Sequence, residues 1–432
     1  MSRARPLLTA AALVAALAAG PGARAPRAAG SPGDVRLELQ SGATTRLPLR
    51  SEPFAPAGDR DAGQTSVQAD EVLAMDLQNS AVFAVARSWD PAAAQVAPQF
   101  VVGGTWTVSG SEVRLSGELR DFPGRKPILV QEYRGPLTGW RDLVHHFADD
   151  IVQQITGEAG VARTRFAFVV QQGRDKELYD MDADGRNLRP LTSDHSLAQS
   201  PSWSPEGSLI LFTSYRGGHG PQLWVLSPEQ RKPFLISGRP GINTSASYSP
   251  DGTRILCTLS KDGNAEVYSL DARGGDPRRL TNNPAIDTSP CWSPTGREIA
   301  FTSDRAGSPQ VYVMDAVGGN VRRLTYDVDY TDSPAWSPKG DRIAFVQRTG
   351  EGFDIWICKP DGGGATRVVA GSSNENPRWS PDGRHLVFAS NRDGGFGLWV
   401  TDLDGSPPRK LDTGGRRAMS PAWSPRLASL AN

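Results

Sequence analysis

The sequence predicts an α/β N-terminal domain followed by an all-β six-bladed propeller, and three observations carry that reading. An aromatic-Ser-Pro motif recurs six times in the second half, with aromatic spacings of 45, 44, 44, 43 and 44 residues. A period of this size belongs to blades of four strands each. The chain is rich in turn formers, with 46 Gly and 34 Pro among 432 residues. Finally, the stretch before the repeat lacks the motif and mixes short β-prone runs with two helical patterns.

The first residues read as an export signal. Two arginines stand in Met1–Arg5, and Leu7–Gly20 is a small-apolar run broken only by Thr9. That run falls short of the roughly 20 residues needed to span a bilayer. Cleavage is open between Ala19, Ala25 and Ala29; Pro26 disfavours the second. A signal peptide is expected over 1–29, with no integral membrane segment once it is removed. The N-terminal α/β domain is expected over 30–157. Within it Val35–Leu39 and Thr45–Leu49 read as strands, and Val67–Asn79 as a helix with Val67, Glu71 and Met75 at turn spacing. Phe100–Val108 and Val113–Arg120 form a hairpin around Ser109-Gly110-Ser111. Ile128–Tyr133 is a strand, and Trp140–Ile155 an amphipathic helix with Val144, Phe147, Ile151 and Ile155 on one face. A linker is expected over 158–163, and the propeller over 164–432.

In each repeat, strand A ends in the aromatic-Ser-Pro motif, and an x-Gly turn leads to strand B. Strand B carries Phe212, Cys257, Phe301, Phe345 and Phe388; strand C carries Trp224, Tyr268, Tyr312, Trp356 and Trp399. Strand D follows a second turn. A B–C–D set without an A precedes Trp203, and an A without B, C or D ends the chain at Trp423. The two fragments make one composite blade, so the C-terminal strand is expected to close the ring and remove its sheet edges.

Charge and chemistry narrow the function. With 47 basic and 47 acidic side chains the formal net charge is zero, which argues against wholesale nucleic-acid binding. Three Cys exclude a disulfide scaffold and a four-Cys zinc site. Asp180–Gly185 opens like a calcium loop, but its twelfth position is Leu191, so it reads as a strand and hairpin turn. His145 and His146 point about 100° apart on a helix and read as a solvated face with one half-buried ring. Cys257, Cys291 and Cys358 read as buried small apolar residues, with a Cys257–Cys291 disulfide as the alternative. The Trp and Tyr columns read as core between blades. No Gly-x-Ser-x-Gly elbow occurs, and nine residues follow Trp423, so no catalytic residue, metal or cofactor is expected and no appended hydrolase domain.

These features together resemble the TolB family of the Tol–Pal envelope system. The resemblance rests on the order of export signal, α/β domain and six Trp-Ser-Pro-x-Gly blades. It also rests on Leu73–Phe83, on Arg163–Val170 leading into the propeller, and on the terminal Pro421-Ala422-Trp423-Ser424-Pro425. It implies a periplasmic, non-enzymatic scaffold that supports outer-membrane integrity and constriction at division. It also implies binding of the peptidoglycan-associated lipoprotein at one propeller mouth, and of the inner-membrane protein TolA through the N-terminal region. Two departures stand out: the Pro/Gly/Ala-rich Ala25–Asp34, and Ile242 where the resemblance implies a histidine. The rival classes are an exported propeller hydrolase or lyase, and a glycan or peptide sensor, each with its site in the channel.

The D-to-A loops place the expected partner site, because they vary while the Ser-Pro-x-Gly turns do not. Asp287, Asp327, Asp329 and Asp332 with Tyr330, and Glu375, concentrate acid on one side; Arg416 and Arg417 sit in the closing loop. Thr244, Ser245, Thr288, Ser289 and Asn376 add hydrogen-bonding groups. A negative mouth of this kind suits a partner with a basic protrusion. Asp182 and Asp184 fall on the opposite face, where charge reversal is expected to do little.

Overall fold

The computed structural model describes residues 46–59, 62–88, 90, 97–326, 328–350 and 352–427. The expected signal, Val35–Leu39, Ala25–Asp34 and Asp327 lie outside the described residues.

The α/β part is one mixed sheet with two helices on it. Strands β1 (Leu47–Ser51), β2 (Ala55–Gly58), β3 (Phe83–Arg87), β4 (Phe100–Ser109), β5 (Glu112–Asp121) and β6 (Pro127–Pro136) alternate with α1 (Ala62–Asn79) and α2 (Trp140–Thr156). The sheet order is β3-β1-β4-β5-β6, with β2 also pairing β4. β1 runs parallel to β3 and β4, while β4, β5 and β6 are antiparallel. The β4–β5 hairpin, β6 and α2 stand where the apolar periodicity puts them.

Helix α1 faces the other way from the sequence reading. Ala69, Leu73 and Leu77 are buried, whereas Val67 is 57% exposed. The small residues Ala62, Ser66 and Ala69 give the buried stripe little apolar contrast, and this hid the face. Helix α2 seats on the sheet at Gly117, where an added Cβ would lie 2.4 Å from the Phe147 ring. That contact admits no larger residue at 117.

The rest of the described chain is a ring of six four-stranded antiparallel sheets. Blades two to six open with A strands Ala198–Trp203, Asn243–Tyr248, Asp287–Trp292, Thr331–Trp336 and Asn374–Trp379. Blade one takes its A strand from Arg417–Trp423, which pairs antiparallel with Arg165–Gln172. In blades two to six each B-column residue lies directly opposite its C-column partner, as in Phe301↔Tyr312 and Phe388↔Trp399.

The repeated Ser-Pro-x-Gly has a local cause. The serine hydroxyl accepts the N–H of the residue that starts strand B: Leu209 at 3.0 Å to Ser204, Arg254 at 2.9 Å to Ser249, His385 at 3.0 Å to Ser380. The glycine adopts a left-handed φ of 67° to 77° that a side chain would strain. The closing strand reproduces this bonding without the turn. Ser424 Oγ accepts Arg165 N–H at 2.9 Å, and Ser424 N–H donates to Arg165 O at 2.8 Å. The last motif therefore lacks a glycine because no turn follows it.

The seam is packed as well as bonded. Trp423 is 8% exposed. Its Nε1–H donates to Thr164 Oγ1 at 2.8 Å, and its ring meets Phe166 at 4.6 Å and stacks on His385 at 5.7 Å. All six motif aromatics line the channel; Trp203, Trp379 and Trp423 are buried there, while Tyr248, Trp292 and Trp336 are half-buried. The three cysteines are free; Cys257 and Cys358 are buried, and Cys291 is half-buried at the channel wall.

Candidate functional site

Each inner strand carries the same backbone device. Ser200, Ser245, Ser289, Ser333, Asn376 and Ser420 have φ between 48° and 54°. At each the A–B register slips, so these are bulges. Short polar side chains suit this conformation, because they tolerate left-handed φ and bond locally. Ser200, Ser245, Ser289, Ser333 and Asn376 line the channel. Of the residues expected at the mouth, Ser245, Ser289 and Asn376 are bulge residues, and Thr244, Thr288, Asp332 and Glu375 immediately precede a bulge. Ser200, Ser333 and Ser420 complete the ring and were missed. Their signal was a small polar residue three positions before every motif aromatic.

The acidic residues separate once placed. Asp329 is exposed. Asp332 is half-buried, accepting Thr302 Oγ1–H at 2.7 Å and Tyr330 O–H at 3.2 Å. Tyr330 lies under Arg348, 4.2 Å from its ring centroid, and beside Phe353. Burial and then Asp332 push the Tyr330 phenol up to about 12. Glu375 accepts Ser373 O–H at 2.9 Å. Asp287 is fully buried, taken up by Arg305 at 2.9 Å and Asn283 at 2.8 Å. It contributes no surface charge, because its strand position points inward as Asn243, Thr331 and Asn374 do.

A ring of cations on this face further tempers its expected negative character. Arg216, Lys261, Arg305, Arg348 and Arg392 recur at spacings of 45, 44, 43 and 44 residues. Arg216, Arg305 and Arg392 lie over the aromatic pair of strands B and C, as Arg392 does over Trp399 at 4.9 Å and Arg216 over Trp224 at 4.6 Å; Lys261 lies over Tyr268 alone, and Arg348 over Tyr330 and Phe353. Arg416 lies over Tyr179 at 6.0 Å in blade one. Cation–π stacking holds these groups in place at little solvation cost. Arg216, Lys261 and Arg305 pair with Asp194, Asp262 and Asp287; Arg348, Arg392 and Arg416 have no ion-pair partner among the described residues.

The opposite face is covered by the α/β domain. Arg46 bridges Asp402 at 2.6 Å and Asp404 at 2.8 Å on the last blade. Glu158 pairs with Lys339 and Arg384, each at 3.0 Å. Asp184 is 1% exposed and paired with Arg141 and with His145 at 3.5 Å, while His145 Nδ1 meets Asp76 at 2.6 Å. Burial alone would lower the His145 pKa, but the Asp76 and Asp184 carboxylates outweigh it and push it up to about 10. The two partners hold Asp184 well below the usual carboxylate range, against its own burial. One expectation is thereby corrected: His145 is buried in a domain contact rather than on a solvated helix face. Asp184 belongs to the same contact.

The axial channel has a volume of about 410 Å³. Its wall brings together one charged side chain, Arg378, and one thiol, Cys291, which burial pushes up to about 11.

A closed ring of six bulged four-stranded blades preceded by an α/β domain defines a six-bladed propeller protein. The family model for the TolB beta propeller domain matches residues 152–427, and the chain belongs to the TolB family. The chain is 39% identical over 284 residues to the Tol-Pal system protein TolB of Anaeromyxobacter dehalogenans (strain 2CP-C), covering 62% of this chain and 63% of that one. It is 34% identical over 186 residues to the protein of the same description from Desulfosudis oleivorans, covering 43% and 42%. These matches span about half the length of the curated relatives. The crystal structure of TolB from Acinetobacter baumannii superposes with a TM-score of 0.79 at 26% identity, over 90% of this chain and 99% of that chain. No helix among the described residues is long and apolar enough to cross a membrane.

Proposed function

We propose that this protein is a non-enzymatic, periplasmic protein-binding scaffold of the Tol–Pal system, supporting outer-membrane integrity and constriction at division. Its open mouth receives the peptidoglycan-associated lipoprotein, and its N-terminal region engages TolA. One observation carries the reading: the α/β domain occupies one propeller face, and the other presents a ring of bulge residues bordered by Asp329, Tyr330 and Glu375. The mouth is of mixed charge. Asp329 attracts a basic protrusion, while the ring of Ser, Thr and Asn groups supplies orientation.

The test is binding of the purified lipoprotein to Asp329→Lys. Its association rate should drop several-fold at low salt, with the melting temperature unchanged, and the difference should shrink as salt screens it. Unaltered association at every ionic strength would remove the mouth from the partner site. A deletion strain with ordinary detergent resistance would count against the envelope role itself.

A further inference from the structure

One position in the propeller breaks the sixfold pattern. The first residue after each bulge that pairs with strand B is Ser202, Ser247, Cys291, Ala335, Arg378 and Ala422 in the six blades. Five are small, which opens the axis; the sixth projects a guanidinium into the space the others leave. Among the described residues, Arg378 is the one charged side chain in the channel wall. Its Nη1–H donates to Pro377 O at 3.0 Å, and it forms no ion pair with any described carboxylate. Arginines such as Arg46, Arg165, Arg189, Arg279, Arg305 and Arg384, each ion-paired, show how readily this fold supplies partners elsewhere. Arg378 is half-buried, so a guanidinium with no ion-pair partner stands in the channel where an incoming anion can reach it.

We infer that Arg378 makes the axial channel a carboxylate-binding site, independent of which protein docks at the mouth. A guanidinium presents a rigid fork of donors matched to a carboxylate. The hydroxyls of Ser245, Ser289 and Ser333 and the Asn376 amide stand on the same wall as further donors. The channel volume of about 410 Å³ suits a small ligand or a few residues of extended chain. The cation ring at the mouth, with Arg348, Arg392 and Arg416 unpaired, draws anions toward the opening. Desolvation also holds the Arg378 pKa below that of a free guanidinium, the condition an incoming carboxylate relieves.

Cys291 reports on the site, since it lines the same wall close enough for Arg378 to influence its ionisation. The experiment follows alkylation of Cys291 by neutral iodoacetamide in the full chain, with mass spectrometry separating it from Cys257 and Cys358. The probes are an end-blocked tetraglutamate peptide, its tetraglutamine counterpart, and succinate at matched carboxylate concentration. Tetraglutamate is expected to slow Cys291 alkylation saturably, and tetraglutamine to leave it unchanged. Protection by succinate as well identifies a free small anion as a competent ligand; protection by tetraglutamate alone identifies a threaded acidic chain. Arg378→Gln should weaken tetraglutamate about tenfold or more, the worth of a charge-assisted pair, and Arg378→Lys should lose less. A peptide held only by the mouth cations would leave Cys291 unprotected, which overturns the inference. So would equal protection by tetraglutamine, or an Arg378→Gln protein that binds as tightly as the parent. Should Arg378→Gln fail to fold, reversal of wild-type protection by added salt decides the question: protection that survives 1 M NaCl, where the Debye length is about 3 Å, counts against a charge-held ligand.

Discussion

Trp423→Ala tests the seam of the ring. The ring is 8% exposed, so nearly all of its surface is removed from water. About 200 Å² of buried aromatic surface at about 25 cal/mol per Å² gives an upper figure of about 5 kcal/mol. The Nε1–H bond at 2.8 Å to Thr164 adds little, because Thr164 Oγ1 keeps its bond to Val161 O at 2.6 Å. A loss of about 3–5 kcal/mol is expected, in line with large-to-small aromatic substitutions. Trp379→Ala is the matched control: the same exposure, and an Nε1–H bond to Ala335 O at 2.9 Å. The two differ in tethering, since Trp379 runs by a covalent turn into its own strand B while Trp423 does not. Urea unfolding should give similar losses for both. Hydrogen exchange should differ: Trp423→Ala should deprotect Arg417–Trp423 and Arg165–Gln172 ahead of the other blades, and Trp379→Ala should not. Identical exchange maps for the two variants would refute the idea that the seam is the weakest join.

Three further outcomes follow from the domain interface and the mouth. The His145 imidazolium, with a folded pKa of about 10 against an ordinary value near 6.5, stabilises docking fully below pH 6.5 and progressively less as pH rises toward 10. Asp184 works in the other direction, losing its contribution as pH falls below its ordinary value of 3.8. Calorimetry should therefore show the thermal midpoint falling between pH 6.5 and 10, and His145→Gln should flatten that slope; a parallel slope in the variant would contradict the assignment. Arg46→Ala removes the cation from Asp404 and leaves Asp402 with His385 alone, both carboxylates being 9% and 10% exposed, and should cost about 2–3 kcal/mol in denaturant unfolding, whereas Arg134→Ala on the exposed sheet edge should cost under about 1 kcal/mol. Asp184→Asn should destabilise the protein measurably in a thermal melt, in contrast to Asp329→Lys at the mouth.

The propeller was legible because its signals are local and repeated. Ser-Pro-x-Gly is dictated by a turn and one hydroxyl, and the B and C columns fall opposite each other at a fixed register. The parallel strands β2 and β3 were not legible: APAG and FAVAR have weak β character and owe their state to neighbours distant in sequence. The inward face of α1 was misread because the first half of its buried stripe, Ala62, Ser66 and Ala69, is made of small residues. At the mouth, position was legible and exposure was not. Asp287 and Asp329 look alike in sequence, but one pairs with Arg305 under the surface and the other faces solvent. The cation ring was readable as a period and went unseen because the aromatic columns dominated it. The His145–Asp184 contact joins residues of two different folds, so no local pattern announced it.

The seam between Ser424 and Arg165 is also where the α/β domain enters the propeller. The covalent turn missing from blade one is replaced by the incoming chain, with Arg426 Nε–H donating to Gly160 O at 3.1 Å beside it. A pull on the α/β domain that breaks its ion pairs with the blades would next load the Arg165 end of a strand whose neighbour is attached by pairing alone. Load applied there peels hydrogen bonds one after another instead of shearing them together. A joint of this kind would open the ring at one blade before the other five, each stitched by its own turns.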